Sequence, residues 1–176
     1  MALTKWALDP THSELQFKVK HLMITTVTGS LKSFSADLTS EGDEFTDADI
    51  SFKGELSSLD TGNTDRDNHL KSADFFDAEQ FPTIEFKSTA VEKDGDDYSV
   101  KGDLTIKGET KQVKLTAEFG GIATDPWGQT KAGFTLSGKL NRSEFGLTWN
   151  AALETGGVMV SEEVKILGEL QFIKQA

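Results

Sequence analysis

Leu15, Phe17, Val19 and His21 share one parity of the chain, while Glu14, Gln16, Lys18 and Lys20 fill the other. Extended backbone points successive side chains to opposite faces, so this run reads as a strand with one dry face and one wet face. The same period recurs in Phe34, Ala36 and Leu38, in Ala48, Ile50 and Phe52, in Ile84 and Phe86, and in Tyr98, Val100, Leu104 and Ile106. It returns in Val113, Leu115, Ala117 and Phe119, in Ala132, Phe134, Leu136 and Leu140, and in Val164, Ile166, Leu170 and Phe172. A short strand around Lys5 to Leu8 precedes them, and helical spacing wins nowhere for more than two turns.

Turn residues separate these runs, as in Glu41-Gly42-Asp43, Lys93-Asp94-Gly95-Asp96, Lys107-Gly108-Glu109, Asp125-Pro126-Trp127-Gly128 and Gly156-Gly157. Short loops of this kind join antiparallel neighbours. The chain is therefore all-β. Roughly eight or nine one-faced strands pair as a sandwich or close as a barrel, and closure, which removes exposed edges, is the expected architecture. Asp65 to Lys71 and the following Asp74-Phe75-Phe76-Asp77 break the alternation and predict a short helix with an irregular connection. Phe76 and its neighbours up to Phe81 are expected at the barrel rim, and His21 to Thr28 is expected to form a helical turn.

The 176 residues, 36% hydrophobic with 12 Phe, suffice for the core of one domain spanning 1–176. A net charge of −11 repels phosphate backbones and anionic headgroups, so nucleic acid is not an expected partner, and the charge also serves solubility. The absence of Cys excludes disulfides and thiolate metal sites. No segment approaches the roughly 20 apolar residues of a membrane span. A cytoplasmic protein is expected, or a periplasmic one if a leader preceded Met1.

Several blocks in order resemble the YceI-like family of lipocalin-fold polyisoprenoid-binding proteins. They are Trp6-Ala7-Leu8-Asp9-Pro10-Thr11-His12-Ser13, Val27-Thr28-Gly29, the stretch from Thr64-Asp65-Arg66-Asp67-Asn68-His69-Leu70 to Asp77, and Phe81-Pro82-Thr83-Ile84-Glu85-Phe86-Lys87-Ser88. Gly102-Asp103-Leu104-Thr105-Ile106-Lys107-Gly108-Glu109-Thr110-Lys111 and Asn141-Arg142-Ser143-Glu144-Phe145-Gly146 follow at matching spacing. The resemblance implies a closed antiparallel eight-stranded lipocalin-like β-barrel, an isoprenoid-type lipid in its bore, no other cofactor, no catalysis and a homodimer.

The ligand is expected to meet Leu15, Phe17, Val19 and His21 on one strand, Phe34 and Phe52 on the next two, and Ile84 and Phe86 beyond them. Val100, Gly102, Leu104, Phe134, Leu136, Phe76 and Trp149 complete the expected lining. Taken alone, the aromatic set fits an ordinary core better than a lipid tunnel, and the resemblance reverses that order. Gly54, Gly102, Gly138 and Gly168 sit at inward positions and either leave room in the bore or let strands bend. His21 lies where a ligand head group could meet it, although a structural histidine explains it as well.

The other histidines support no shared ion, because His12 and His21 have opposite parity and His69 lies in another kind of segment. His12 and His69 are expected to make structural hydrogen bonds. Arg66, Asp67 and His69 lack a nucleophile or a paired carboxylate, so Thr64 or Asp65 is expected to cap the short helix and Arg66 to pair a carboxylate. Trp6 is expected to plug the closed end, Trp127 to sit on the surface, and Phe145 and Trp149 to lie at the mouth or a subunit interface. Storage or transport of a long amphiphile is the leading reading. An enzyme acting on such a lipid and a barrel serving only protein contacts are the alternatives.

Overall fold

The computed structural model describes residues 3–21, 24–42, 44–147 and 160–175. Its elements are β1 (Leu3–Leu8), β2 (Glu14–His21), β3 (Thr25–Leu31), β4 (Phe34–Glu41), β5 (Glu44–Glu55), β6 (Leu59–Asp60), α1 (Thr64–Lys71), β7 (Thr83–Asp94), β8 (Asp97–Ile106), β9 (Glu109–Thr124), β10 (Thr130–Asn141) and β11 (Val160–Lys174). All pairings are antiparallel, and the order β1-β4-β5-β7-β8-β9-β10-β11 with β1 paired to β11 closes an eight-stranded barrel, as the resemblance implied.

The three remaining strands extend this ring. β11 pairs with β1 at Phe172 to Lys174 and with β2 over Val160 to Glu169, so β1 and β2 are two arms of one kinked strand. β3 and β4 form a second kinked strand, separated only by Lys32 and Ser33, and β6 pairs with β3 at Ser30 and Leu31. The backbone donors at the second kink are kept: Lys32 N–H donates to the Ser58 carbonyl (3.2 Å) and Glu55 N–H to that of Ser33 (2.9 Å).

The expected helical turn at His21 to Thr28 is corrected, because Thr25 to Leu31 is strand. The β-branched run Thr25-Thr26-Val27-Thr28 favours extended backbone. The short helix forms, but Asn63 caps it, accepting from Arg66 N–H at 3.0 Å. Arg66 donates to Thr61 Oγ1 and to the Thr61 carbonyl (2.8 and 2.6 Å) rather than to a carboxylate. Thr61 N–H in turn donates to Asp67 Oδ1 at 2.8 Å, which ties α1 to the end of β6. No helix among the described residues is long and apolar enough to cross a membrane.

The register separates the two ends of the barrel. The β4–β5, β7–β8 and β9–β10 hairpins share one end with the start of β1 and the end of β11. α1, the 72–82 connection, the β8–β9 hairpin and the 3-10 turn Arg142–Phe145 sit at the other. Trp127 stands on the β9–β10 turn and is 85% exposed.

Asp9 fixes the kink between β1 and β2. Its backbone N–H donates to the Gln171 carbonyl (2.8 Å), and its carboxylate accepts from Thr11 Oγ1 (2.8 Å), Lys131 Nζ (3.0 Å) and His12 Nδ1 (2.7 Å). Burial alone would raise the Asp9 pKa, but the hydrogen bonds from His12, Lys131 and Thr11 outweigh it and hold the carboxyl well below the usual range. A depressed carboxyl stabilises the fold above its unfolded pKa, about 3.9, and loses that contribution as the pH falls toward its folded value. Asp9→Asn is therefore expected to be less stable than the wild type at pH 6, with the gap narrowing below about pH 4. Urea unfolding across this range checks it.

Candidate functional site

Closure turns the apolar parity of each strand inward, and the side chains do not fill the space. A cavity of about 250 Å3 runs inside the barrel. Its floor is aromatic. Phe45, 2% exposed, stands 5.1 Å from the Phe134 ring, 5.6 Å from Phe119, 5.9 Å from Tyr98 and 5.5 Å from Trp6, and Phe172 packs on Phe134 at 6.1 Å. Trp6, 1% exposed, lies beneath this cluster and donates from Nε1 to Ser40 Oγ at 2.9 Å, in keeping with its expected place at the closed end.

Above the floor the wall is aliphatic and aromatic, and toward α1 the cavity is bordered by Leu70, Phe75, Phe76, Phe145 and Leu147. Phe75 is buried and Phe76 half-buried, so the Asp74 to Phe81 segment forms the rim as expected. Its setting is held by His69, whose Nε2 lies 3.0 Å from Asp74 Oδ2 and whose ring meets Phe75 edge-on at 5.0 Å.

Of the lining expected from parity, Leu15, Phe17, Val19, Phe52, Ile84, Phe86, Val100, Leu104, Phe134 and Leu136 border the cavity. Phe34 does not; it is half-buried and packs on Phe52 with ring centroids 5.9 Å apart. His21 ends β2 opposite Thr25 and Val160, but its side chain and all of Trp149 lie outside the described residues.

Gly102 requires a correction. It faces inward, yet a Cβ there would strike the Phe86 ring and the Lys87 carbonyl. The position is thus already filled from the neighbouring strand and offers no room for a ligand. Gly54 and Gly138 behave alike, receiving the Leu31 and Leu115 side chains. Only at Gly168 would a Cβ meet ordinary contacts, near 3.4 Å, from Leu136 and Leu15.

Phe45 escaped the parity reading because Asp47, at φ +61°, inserts an irregular step in β5. Phe45 and Ala48 are consequently both buried although their parities differ. Ser88 bridges a second irregular site: its Oγ accepts from Ile50 N–H at 2.9 Å and approaches the Ala48 carbonyl at 3.4 Å.

Arg142 is the other residue that parity could not find. Its side chain is 4% exposed and borders the cavity, yet its donors engage main-chain carbonyls: Nε that of Ser161 (2.8 Å), Nη1 that of Leu147 (2.6 Å) and Nη2 that of Val160 (3.3 Å). Burial lowers its pKa, and the Glu162 carboxylate, 3.8 Å away, acts in the opposite sense. A buried guanidinium so engaged ties the end of the 3-10 turn to the start of β11. Among the described residues the cavity surface is apolar.

A closed antiparallel barrel with an apolar internal cavity defines the class. The YceI-like domain model matches residues 6–172, and the chain belongs to that family. It is 43% identical over 171 residues to a UPF0312 protein of Staphylococcus epidermidis, covering 97% of this chain and 98% of the relative. The YCEI protein of Campylobacter jejuni is similar in structure, with a TM-score of 0.74 and 34% identity over 89% of this chain and 90% of that one. A polyisoprenoid binding domain from Saccharophagus degradans shares the fold at a TM-score of 0.66 and 15% identity, covering 97% and 98% of the two chains.

Two alanine substitutions test how the glycines are used. Gly102→Ala is expected to cost about 1–3 kcal/mol, since the Lys87 carbonyl cannot move out of the ladder, whereas Gly168→Ala should be close to neutral. Urea midpoints of the two variants measure the difference.

Proposed function

We propose that the protein binds one long apolar chain, an isoprenoid-type lipid, in the bore of the barrel, and that it stores or carries this ligand without transforming it. The observation that carries the reading is the cavity surface, to which the described residues present no polar atom although Gln16 and Arg142 border it. Burying a methylene-sized group contributes about 0.8 kcal/mol, so a five-carbon unit contributes roughly 4 kcal/mol. A few such units offset the roughly 4–15 kcal/mol cost of association without any charged contact.

A polar group carried into the bore would lose its hydration and find no partner, costing on the order of 1–3 kcal/mol. The ligand's head group therefore stays at the rim formed by α1 and Phe76, and its tail points to the Phe45 floor. The fold shared with a polyisoprenoid binding domain supports the same ligand class.

Organic extraction of the purified protein followed by mass spectrometry should yield a long-chain lipid at near-equal stoichiometry; a clean extract, with no uptake of added polyprenol, contradicts the proposal. Ala36 borders the cavity and is buried, while Asp37, the next residue on β4, is exposed. Ala36→Phe should reduce bound polyprenol about tenfold or more, the loss of roughly two methylene contacts, and Asp37→Phe should leave it unchanged.

A further inference from the structure

Trp6 and Phe119 touch the Phe45 ring, at 5.5 and 5.6 Å, yet neither borders the cavity, whereas Phe45 does. Phe45 is thus the last ring between the open bore and the filled end. β5 departs from alternation to put it there. Thr39 of β4 pairs with Asp49 and Glu41 with Glu44, so five steps of β5 answer two steps of β4. Within this bulge Thr46 and Asp47 are both exposed, Asp47 with φ +61°, and Phe45 and Ala48 on either side of them are both buried. An unbroken strand continuing Phe52, Ile50 and Ala48 turns Thr46 and Glu44 inward and Phe45 out to solvent. The bulge re-aims one side chain, a use that bulges serve beside functional sites.

The bulge has a cost that neighbouring side chains offset. Phe45 to Ala48 have no ladder partner on β4, and a residue other than glycine is held in the left-handed region. Two buried hydroxyls support the distorted backbone. Ser88 Oγ accepts from Ile50 N–H at 2.9 Å, while Ser40 Oγ accepts from Trp6 Nε1 at 2.9 Å and donates to the Gly42 carbonyl at 2.7 Å. Filling the closed end needs no such device, because a large apolar residue at position 46 of a regular strand fills it equally well. The device instead places one ring across the bore, directly where the open space ends.

We infer that Phe45 sets the length of apolar chain the barrel accepts, acting as a stop on which the tail of the ligand ends. The inference rests on the ligand reading above. Tyr98 and Ile106 both border the cavity and lie eight residues apart on β8. That is about 27 Å of strand, or roughly 20 Å along the axis for strands tilted by about 40°. With C–C bonds of about 1.5 Å, an isoprene unit of four chain carbons spans roughly 5 Å, so about four units fit between the rim and Phe45. Units beyond these stay outside the rim in water and add nothing to binding.

The full chain, stripped of lipid, is offered an equimolar mixture of geraniol and its longer all-trans homologues, and the bound alcohols are extracted and quantified by mass spectrometry. Retention by the wild type should rise with each unit up to about four and then level off. Phe45→Ala opens the way to Trp6 and Phe119, so its plateau should move up by about one unit, with the first alcohol beyond the wild-type plateau enriched about fivefold or more over the wild type. Ala117 is buried, borders the cavity and pairs with Tyr98 at the level of the floor. Ala117→Leu should move the plateau down by about one unit. One variant removes bulk and the other adds it, so a shared loss of stability cannot produce opposite shifts; circular dichroism checks both folds, and if Phe45→Ala does not fold, Ala117→Leu decides alone. Identical length profiles in the folded proteins, with alcohol still bound, would overturn the stop but not the ligand reading. Retention of no alcohol of any length by the wild type would overturn the ligand reading and the stop with it.

Discussion

The barrel depends on β11 pairing along both of its sides. On one side it meets β10 from Glu163 to Ile173, and on the other it meets β2 and then β1. An unpaired row of backbone groups on either side would leave a sticky edge and an open bore. The kink between β1 and β2 makes the second side possible, because a straight strand of that length could not follow β11 and also reach β4. Asp9 therefore has a consequence far beyond its own turn: its hydrogen bonds to Thr11, His12 and Lys131 set the bend, and the bend closes the ring.

Closure then decides what the interior can do. An eight-stranded barrel is just wide enough for its own side chains or for one slender ligand. Here both solutions occur at different heights. Around Phe45 the rings of Trp6, Tyr98, Phe119 and Phe134 fill the cross-section, whereas above it the wall retreats and leaves a cavity. The glycines belong to the filling and not to the emptiness, since Gly102 and Gly138 accept Phe86 and Leu115 from adjoining strands. The cavity is lined instead by small and aliphatic residues such as Ala36, Val100 and Val164.

Parity made much of this wall legible in advance. Leu15, Phe17 and Val19, or Phe134 and Leu136, needed only an unbroken alternation to be assigned inward, and they border the cavity. Phe45 was not legible because the positive φ of Asp47 shifts parity, and nothing in the local residues announces that step. Gly102 was legible as inward but not as occupied, since its occupant depends on how a Phe on another strand turns. β3 was obscured for a different reason: Thr25, Thr26 and Thr28 are exposed, so no dry face marks its first half. Arg142 was hidden because it engages the Leu147, Val160 and Ser161 main-chain carbonyls, which only the fold brings to it.

The proposed ligand is an apolar chain lying along the bore with its tail on the aromatic floor. A polyprenol carrying a diazirine at its terminal isoprene unit, photolysed in complex and mapped by peptide mass spectrometry, tests it directly. The account predicts labelling of Phe45, Tyr98 and Phe134, and a shift of the label to Leu70 and Phe76 when the diazirine is placed beside the head group. Labels confined to the outer face, or a pattern that does not move with the diazirine, would contradict it.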